Sequence, residues 1–149
     1  MKSALATGVL LLAGMSCTTA VAQTFKTSAG SVSVETVAKG LVNPWALAFL
    51  PDGRMLVTER PGRLRIVDPG GNVSAPLAGV PKVFASGQGG LHDVVVDRNF
   101  AQNQTIYFCF AAPVDGGGQT ALARARFTGD RLEDVKTIFR QEGPPSGGR

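Results

Sequence analysis

Residues 45–67 read Trp45-Ala46-Leu47-Ala48-Phe49-Leu50-Pro51-Asp52-Gly53-Arg54-Met55-Leu56-Val57-Thr58-Glu59-Arg60-Pro61-Gly62-Arg63-Leu64-Arg65-Ile66-Val67. Three short apolar runs are separated by two Pro/Gly steps, each carrying the residues a tight turn needs: a fixed φ at proline and a freely positive one at glycine. The reading is three antiparallel strands, Trp45 to Leu50, Met55 to Glu59 and Leu64 to Val67, with turns at Pro51–Arg54 and Arg60–Arg63. Asp68-Pro69-Gly70-Gly71 then closes the unit before a looser stretch to Pro81. Upstream, Val32, Val34 and Thr36 alternate with polar neighbours, which predicts another strand with one buried face.

Downstream the pattern returns after roughly 40 to 50 residues, the spacing of blade-type repeats. Asp93 to Asp97 matches Ala46 to Leu50, Arg98 to Gln104 replaces the Pro-Asp-Gly turn as a loop, and Thr105 to Ala111 matches Met55 to Glu59. Ala121 to Phe127, a turn at Thr128–Arg131, and Val135 to Arg140 add two strands. No stretch after the leader has the 3.6-residue periodicity of an amphipathic helix, so the fold class is all-β. A sheet of three or four strands cannot cover both of its own faces, and a radial array of such sheets closes into a β-propeller. Two copies do not close a ring, and Gly143 to Arg149 is a Pro/Gly/Ser-rich loop. The chain is therefore expected to be the front portion, about two blades, of a longer protein.

The bulk numbers agree. Of 149 residues 44% are hydrophobic, which sets the chain apart from disordered ones, and Gly 19 and Pro 9 suit many turns. Fifteen Lys and Arg against 11 Asp and Glu give a net charge of +4, but the basic residues are scattered singly, so no nucleic-acid partner is expected. Residues 1–22 have the layout of an export leader: Lys2, an apolar Leu5 to Met15, and a small-x-small site at Ala20-Val21-Ala22. Cleavage is expected before Gln23, leaving residues 23–149 as the propeller part in the periplasm. A membrane anchor needs about 20 apolar residues, and the polar Ser16 to Thr19 interrupts too early, so no membrane span is expected after cleavage. Lipid attachment at Cys17 is disfavoured because Gly14-Met15-Ser16 matches a lipidation site poorly. Losing Cys17 leaves Cys109 alone in an apolar strand, where it reads as a buried small hydrophobe.

Metal boxes, nucleophile elbows, phosphate loops and dinucleotide fingerprints are missing from the sequence. His92 is its single histidine and reads as a structural residue. Asp93 follows it, but consecutive strand side chains face opposite ways, so the two need not meet. The most distinctive stretch is Ser86-Gly87-Gln88-Gly89-Gly90-Leu91-His92-Asp93, where glycines admit a close backbone approach and Gln88 offers donors and an acceptor to a hydroxyl-rich ligand. A tight turn with an exposed glutamine is the plainer reading of the same residues.

Three segments in order, Gly40 to Gly53, Thr58 to Leu64, and Gly87 to Leu91 with Asp93, resemble the opening of the glucose/sorbosone dehydrogenase family. These are soluble periplasmic sugar dehydrogenases that depend on pyrroloquinoline quinone (PQQ), and the likeness runs from about Val32 to Arg149. It implies a six-bladed β-propeller with PQQ over the central channel, assisted by calcium. It also implies oxidation of an aldose at C1 to the lactone, a histidine base, and a respiratory or artificial electron acceptor. Gln88 matches the family's sugar-contacting glutamine. In that family the catalytic histidine follows a Gly-Gly-Arg like Gly147-Gly148-Arg149. The resemblance therefore puts the base just after Arg149 and the cofactor-binding residues further on, so that this chain alone is expected to be inactive, with its metal ligands unassigned. His92 stands where relatives carry an apolar residue and is not that base. Two other readings suit the same architecture: a non-enzymatic binding propeller, and a lactonase-type propeller hydrolase using calcium.

Overall fold

The computed structural model describes residues 22–145. The leader up to residue 21, including Cys17, and the Gly147-Gly148-Arg149 motif lie outside the described residues. The chain divides into two units, one ending at Thr36 and one beginning at Val37. Among the described residues no helix is long and apolar enough to cross a membrane.

In the first unit, β1 (Gln23–Thr27) and β2 (Gly30–Val34) form an antiparallel hairpin. The expected strand at Val32 to Thr36 is thus present but shorter, and its expected buried face is not: Val32 and Val34 are exposed, as is Phe25 on β1. Alternation makes a strand, but burial needs a second layer, and a hairpin of two strands supplies none.

The second unit holds two antiparallel sheets in sequence order. One is β3 (Pro44–Phe49), β4 (Met55–Glu59) and β5 (Arg63–Val67); the other is β6 (Leu91–Val96), β7 (Thr105–Val114), β8 (Gly117–Phe127) and β9 (Leu132–Arg140). The Pro51-Asp52-Gly53 turn forms as read: Gly53 has φ +85° and donates to the Leu50 carbonyl at 3.0 Å. The Asp52 carboxylate accepts from Arg54 N at 3.1 Å and Arg54 Nε at 2.8 Å. After β5 a bridge between Val67 and Val73 adds a vestige of a fourth strand. The loop expected at Arg98–Gln104 contains a single helical turn, α1 (Phe100–Asn103). Four residues are too few for helical periodicity to register. Its frame is Asp97, whose carboxylate accepts from Asn99 N, Asn103 Nδ2 and the Tyr107 hydroxyl at 2.8–3.0 Å.

The two sheets pack face to face through one core. Leu56 on β4 and Leu64 and Ile66 on β5 meet Leu91 and Val94 on β6, Ile106, Phe108 and Phe110 on β7, and Ala121, Ala123 and Ala125 on β8. Large residues on β7 lie beside alanines on β8, so the sheet presents a surface into which leucines fit. Each sheet keeps a second apolar surface open. On β3, Leu47 and Phe49 share the face turned from the core with 52% and 67% exposure, and on β9 Ile138 and Phe139 are exposed as well. Two stacked meanders with uncovered outer faces are adjoining blades of a β-propeller, as the repeat pattern predicted.

The first strands of the two sheets carry the same irregularity. Between β3 and β4, Trp45 and Ala46 lie opposite the single residue Thr58; between β6 and β7, His92 and Asp93 lie opposite Cys109. These are β-bulges at equivalent places in the two repeats. In each the second bulged residue donates its N–H to the opposing side chain, Ala46 N to Thr58 Oγ1 at 3.0 Å and Asp93 N to Cys109 Sγ at 3.4 Å. Cys109 is consequently only half-buried, a correction to the expectation of full burial: the bulge opens the strand pair and leaves a depression of about 100 Å³ beside it.

Candidate functional site

The two bulges meet. The indole of Trp45 and the imidazole of His92 lie 4.7 Å apart between centroids, tilted by 33°. Thr58, fully buried, donates its hydroxyl to the His92 carbonyl at 2.5 Å while accepting from Ala46 N. One hydroxyl thus joins β3, β4 and β6 at the point where both sheets deviate from regular pairing.

Immediately before β6 the Ser86–Gly90 loop crosses this junction. Gly89 N donates to the Ser86 carbonyl at 2.8 Å to make the turn. The three successive carbonyls at its apex are all held by side chains. Arg60 Nη1 donates to the Gly87 carbonyl at 2.8 Å and to the Gly89 carbonyl at 3.3 Å. His92 Nε2 lies 3.0 Å from the Gln88 carbonyl, so the ring is in a form that carries a proton on Nε2. The Arg60 carbonyl then accepts from Leu91 N at 3.0 Å. Gly90 is required here by proximity: a Cβ would lie 2.3 Å from the Arg60 carbonyl oxygen and 2.5 Å from its Cγ. Gln88 itself is exposed, with its main chain pinned on both sides. Asp93 diverges from His92, its Oδ1 accepting from Val94 N at 2.9 Å.

Behind Arg60 stands a charge cluster. Glu59 has no exposed surface, yet its carboxylate accepts from Val42 N at 2.6 Å, Arg63 Nε at 2.5 Å and Arg65 Nη1 at 3.3 Å. Burial pushes this carboxyl up, but the Arg63 hydrogen bond, the Val42 N–H and the charges of Arg63 and Arg65 outweigh it, and the group sits below the usual glutamate range. Arg63 and Glu59 are direct partners in the β4–β5 register, and Arg65 lies on the same face two residues along. Arg60, Glu59 and Thr58 were not singled out as site residues in the sequence. An acid closing one strand, with arginines at the fourth and sixth positions after it across a Pro-Gly turn, was the available signal.

The PQQ and calcium implied by the resemblance can be tested against these groups. Among the described residues no three or more His, Cys, Asp or Glu side chains cluster to hold a metal. Arg60 is bonded to carbonyls, and Arg63 and Arg65 to Glu59, while Arg63 Nη2 is a buried donor without a partner among the described residues. None of these side chains is assigned to PQQ or calcium.

Two face-to-face antiparallel meanders with matching bulges define adjoining blades of a β-propeller, and the Ser86–Gly90 loop enters where the bulged strands meet. The sequence profile described as Glucose / Sorbosone dehydrogenase matches residues 41–149, and the chain belongs to that family. It is 46% identical over 115 residues to the aldose sugar dehydrogenase YliI of Escherichia coli K12, covering 74% of this chain and 31% of that protein. The crystal structure of the soluble aldose sugar dehydrogenase from E. coli in its apo form is 43% identical with a TM-score of 0.72, over 76% of this chain and 34% of that one. The PQQ-bound aldose sugar dehydrogenase from Streptomyces coelicolor is 28% identical with a TM-score of 0.67, over 88% and 36%. The chain thus spans about a third of the length of these relatives.

Proposed function

We propose that the full-length protein is a PQQ-dependent aldose dehydrogenase that oxidises the C1 hydroxyl of a sugar to the lactone and passes two electrons to a respiratory acceptor. The relatives supply the reaction class, and the observation on this chain that carries the reading is Gln88. An exposed amide on a loop whose neighbouring carbonyls are already bonded is free to address a ligand, and an amide suits a polyhydroxyl substrate because it both donates and accepts. Bound PQQ, assisted by calcium, would supply the electrophile; the full-length protein would position the sugar, with Gln88 as this chain's contribution, and take the hydroxyl proton.

His92 is not assigned the role of base. Its Nε2 is engaged by the Gln88 carbonyl and its ring lies against Trp45, so the 149 residues alone are proposed to be inactive, with the base contributed from beyond Arg149. Export to the periplasm is part of the same proposal, supported by Lys2, the apolar Leu5–Met15 run and Ala20-Val21-Ala22.

Aldose oxidation with an artificial electron acceptor tests the reading, using the full-length protein and the 149-residue chain, each with and without PQQ and calcium. Quinone-dependent turnover in the full-length protein alone is the expected outcome. A folded full-length protein inactive on a panel of aldoses would leave the binding propeller as the better account.

A further inference from the structure

We propose that Arg60, reaching from the first blade, is the positioning residue for Gln88 on the second, with His92 as its partner; the inference rests on the proposed aldose dehydrogenase activity and extends it to the loop's support. A glycine-rich loop has more backbone freedom than any other, and an amide at its apex gains orientation only if the main chain around it is fixed. Here the carbonyls before and after Gln88 are both bonded to one guanidinium, and its own carbonyl to the His92 ring. Both bonds leave the single nitrogen Nη1, whose two N–H groups are fixed in the guanidinium plane, so one rigidly oriented group ties together the carbonyls on either side of Gln88.

The two supports are themselves held. The main chain at Arg60 is anchored by N–H donation to the Asn43 carbonyl at 3.0 Å and by its own carbonyl accepting from Leu91 N. His92 is fixed by Trp45 on its ring and by Thr58 on its carbonyl. Arg60 and His92 come from different sheets, so the orientation of Gln88 depends on the two blades being docked. A substrate-facing group on one blade is then set by its neighbour, and disturbance of the first blade reaches the sugar site without any change at Gln88.

The test is a double-mutant cycle in the full-length protein loaded with PQQ and calcium, with D-glucose and the better substrates of the aldose panel. Arg60→Met is expected to lower kcat/KM about tenfold, with the same division between kcat and KM as Gln88→Ala. The Arg60→Met/Gln88→Ala double variant is expected to fall no further than Gln88→Ala, within about twofold, because a support matters only while the supported group is present. Arg60→Lys should recover part of the loss, and His92→Phe, which keeps a ring against Trp45 but removes the nitrogen, should reproduce part of it. Losses that multiply in the double variant, or single variants with unchanged kcat/KM, overturn the proposal while leaving the dehydrogenase reading intact. If Arg60→Met does not fold, the cycle run on Arg60→Lys and His92→Phe decides on the same criterion. A parent protein without aldose activity overturns the functional reading, and this inference with it.

Discussion

Glu59 keeps a charge while fully buried because three donors replace the water it has lost. Glu59→Gln keeps an acceptor for Val42 N but leaves Arg63 and Arg65 facing a neutral amide, and should cost the full-length protein about 1–3 kcal/mol in urea unfolding. The pH dependence has a definite sign. The folded-state pKa of Glu59 is depressed, so its contribution is fully present above the ordinary glutamate range and is lost as pH falls through the depressed value. Stability profiles of parent and Glu59→Gln should therefore converge on acidification from neutrality. A gap that stays constant down to the acid transition would assign the effect to shape rather than charge. Gly90→Ala belongs at this scale too. The added methyl meets the Arg60 carbonyl, and hydrogen exchange in Gly87–Leu91 should quicken while β7 and β8 stay protected; protection unchanged in the loop would contradict the close approach.

Among the elements, β4 does the most with five residues. Leu56 and Thr58 face the second sheet and Val57 and Glu59 are also buried, which is why alternation of polarity is absent from Met55–Glu59 and why the run reads as a central strand. Leu56→Ala leaves a hole between the sheets and should lower stability by about 2–5 kcal/mol. A loss under about 1 kcal/mol in urea unfolding would mean the blades relax to fill the space. The turns were legible in the sequence because Pro51-Asp52-Gly53 and Arg60-Pro61-Gly62 state their geometry locally. The bulges were not: Trp45-Ala46 and His92-Asp93 look like ordinary strand residues, and only register against Thr58 and Cys109 reveals the extra residue. Gln88 could be picked out by its glycine neighbours and by resemblance, whereas Arg60 could not, since a guanidinium bonded to carbonyls nearly thirty residues away leaves no local trace. The hairpin partner of Val32 was missed for a related reason, as Gln23–Thr27 has mixed polarity and adjoins the leader.

At the scale of the molecule, the outer faces decide behaviour in solution. Trp45, Leu47 and Phe49 on one blade and Ile138 and Phe139 on the other are exposed apolar groups on sheet surfaces, and β9 is an edge strand. Such surfaces associate when nothing covers them. The 149-residue chain is expected to self-associate with rising concentration in sedimentation, and the full-length protein to stay monodisperse under the same conditions. A cooperatively unfolding monomer of the short chain would show that two blades suffice.

The compactness of the Glu59 cluster in sequence also bears on the order in which the protein folds. Glu59, Arg63 and Arg65 lie within seven residues on one hairpin, and hairpins of this kind close in roughly 1–10 μs. The Thr58–His92 bond that joins the sheets spans 34 residues and must wait for a much larger loop to close. Opposite charges therefore find each other while water still surrounds them, on the face of the hairpin turned away from Leu64 and Ile66 and hence from the second blade. The surface that the second blade covers on this sheet is that of Leu56, Leu64 and Ile66, so the step that excludes water from between the blades does not carry the penalty that burying separate ions would impose.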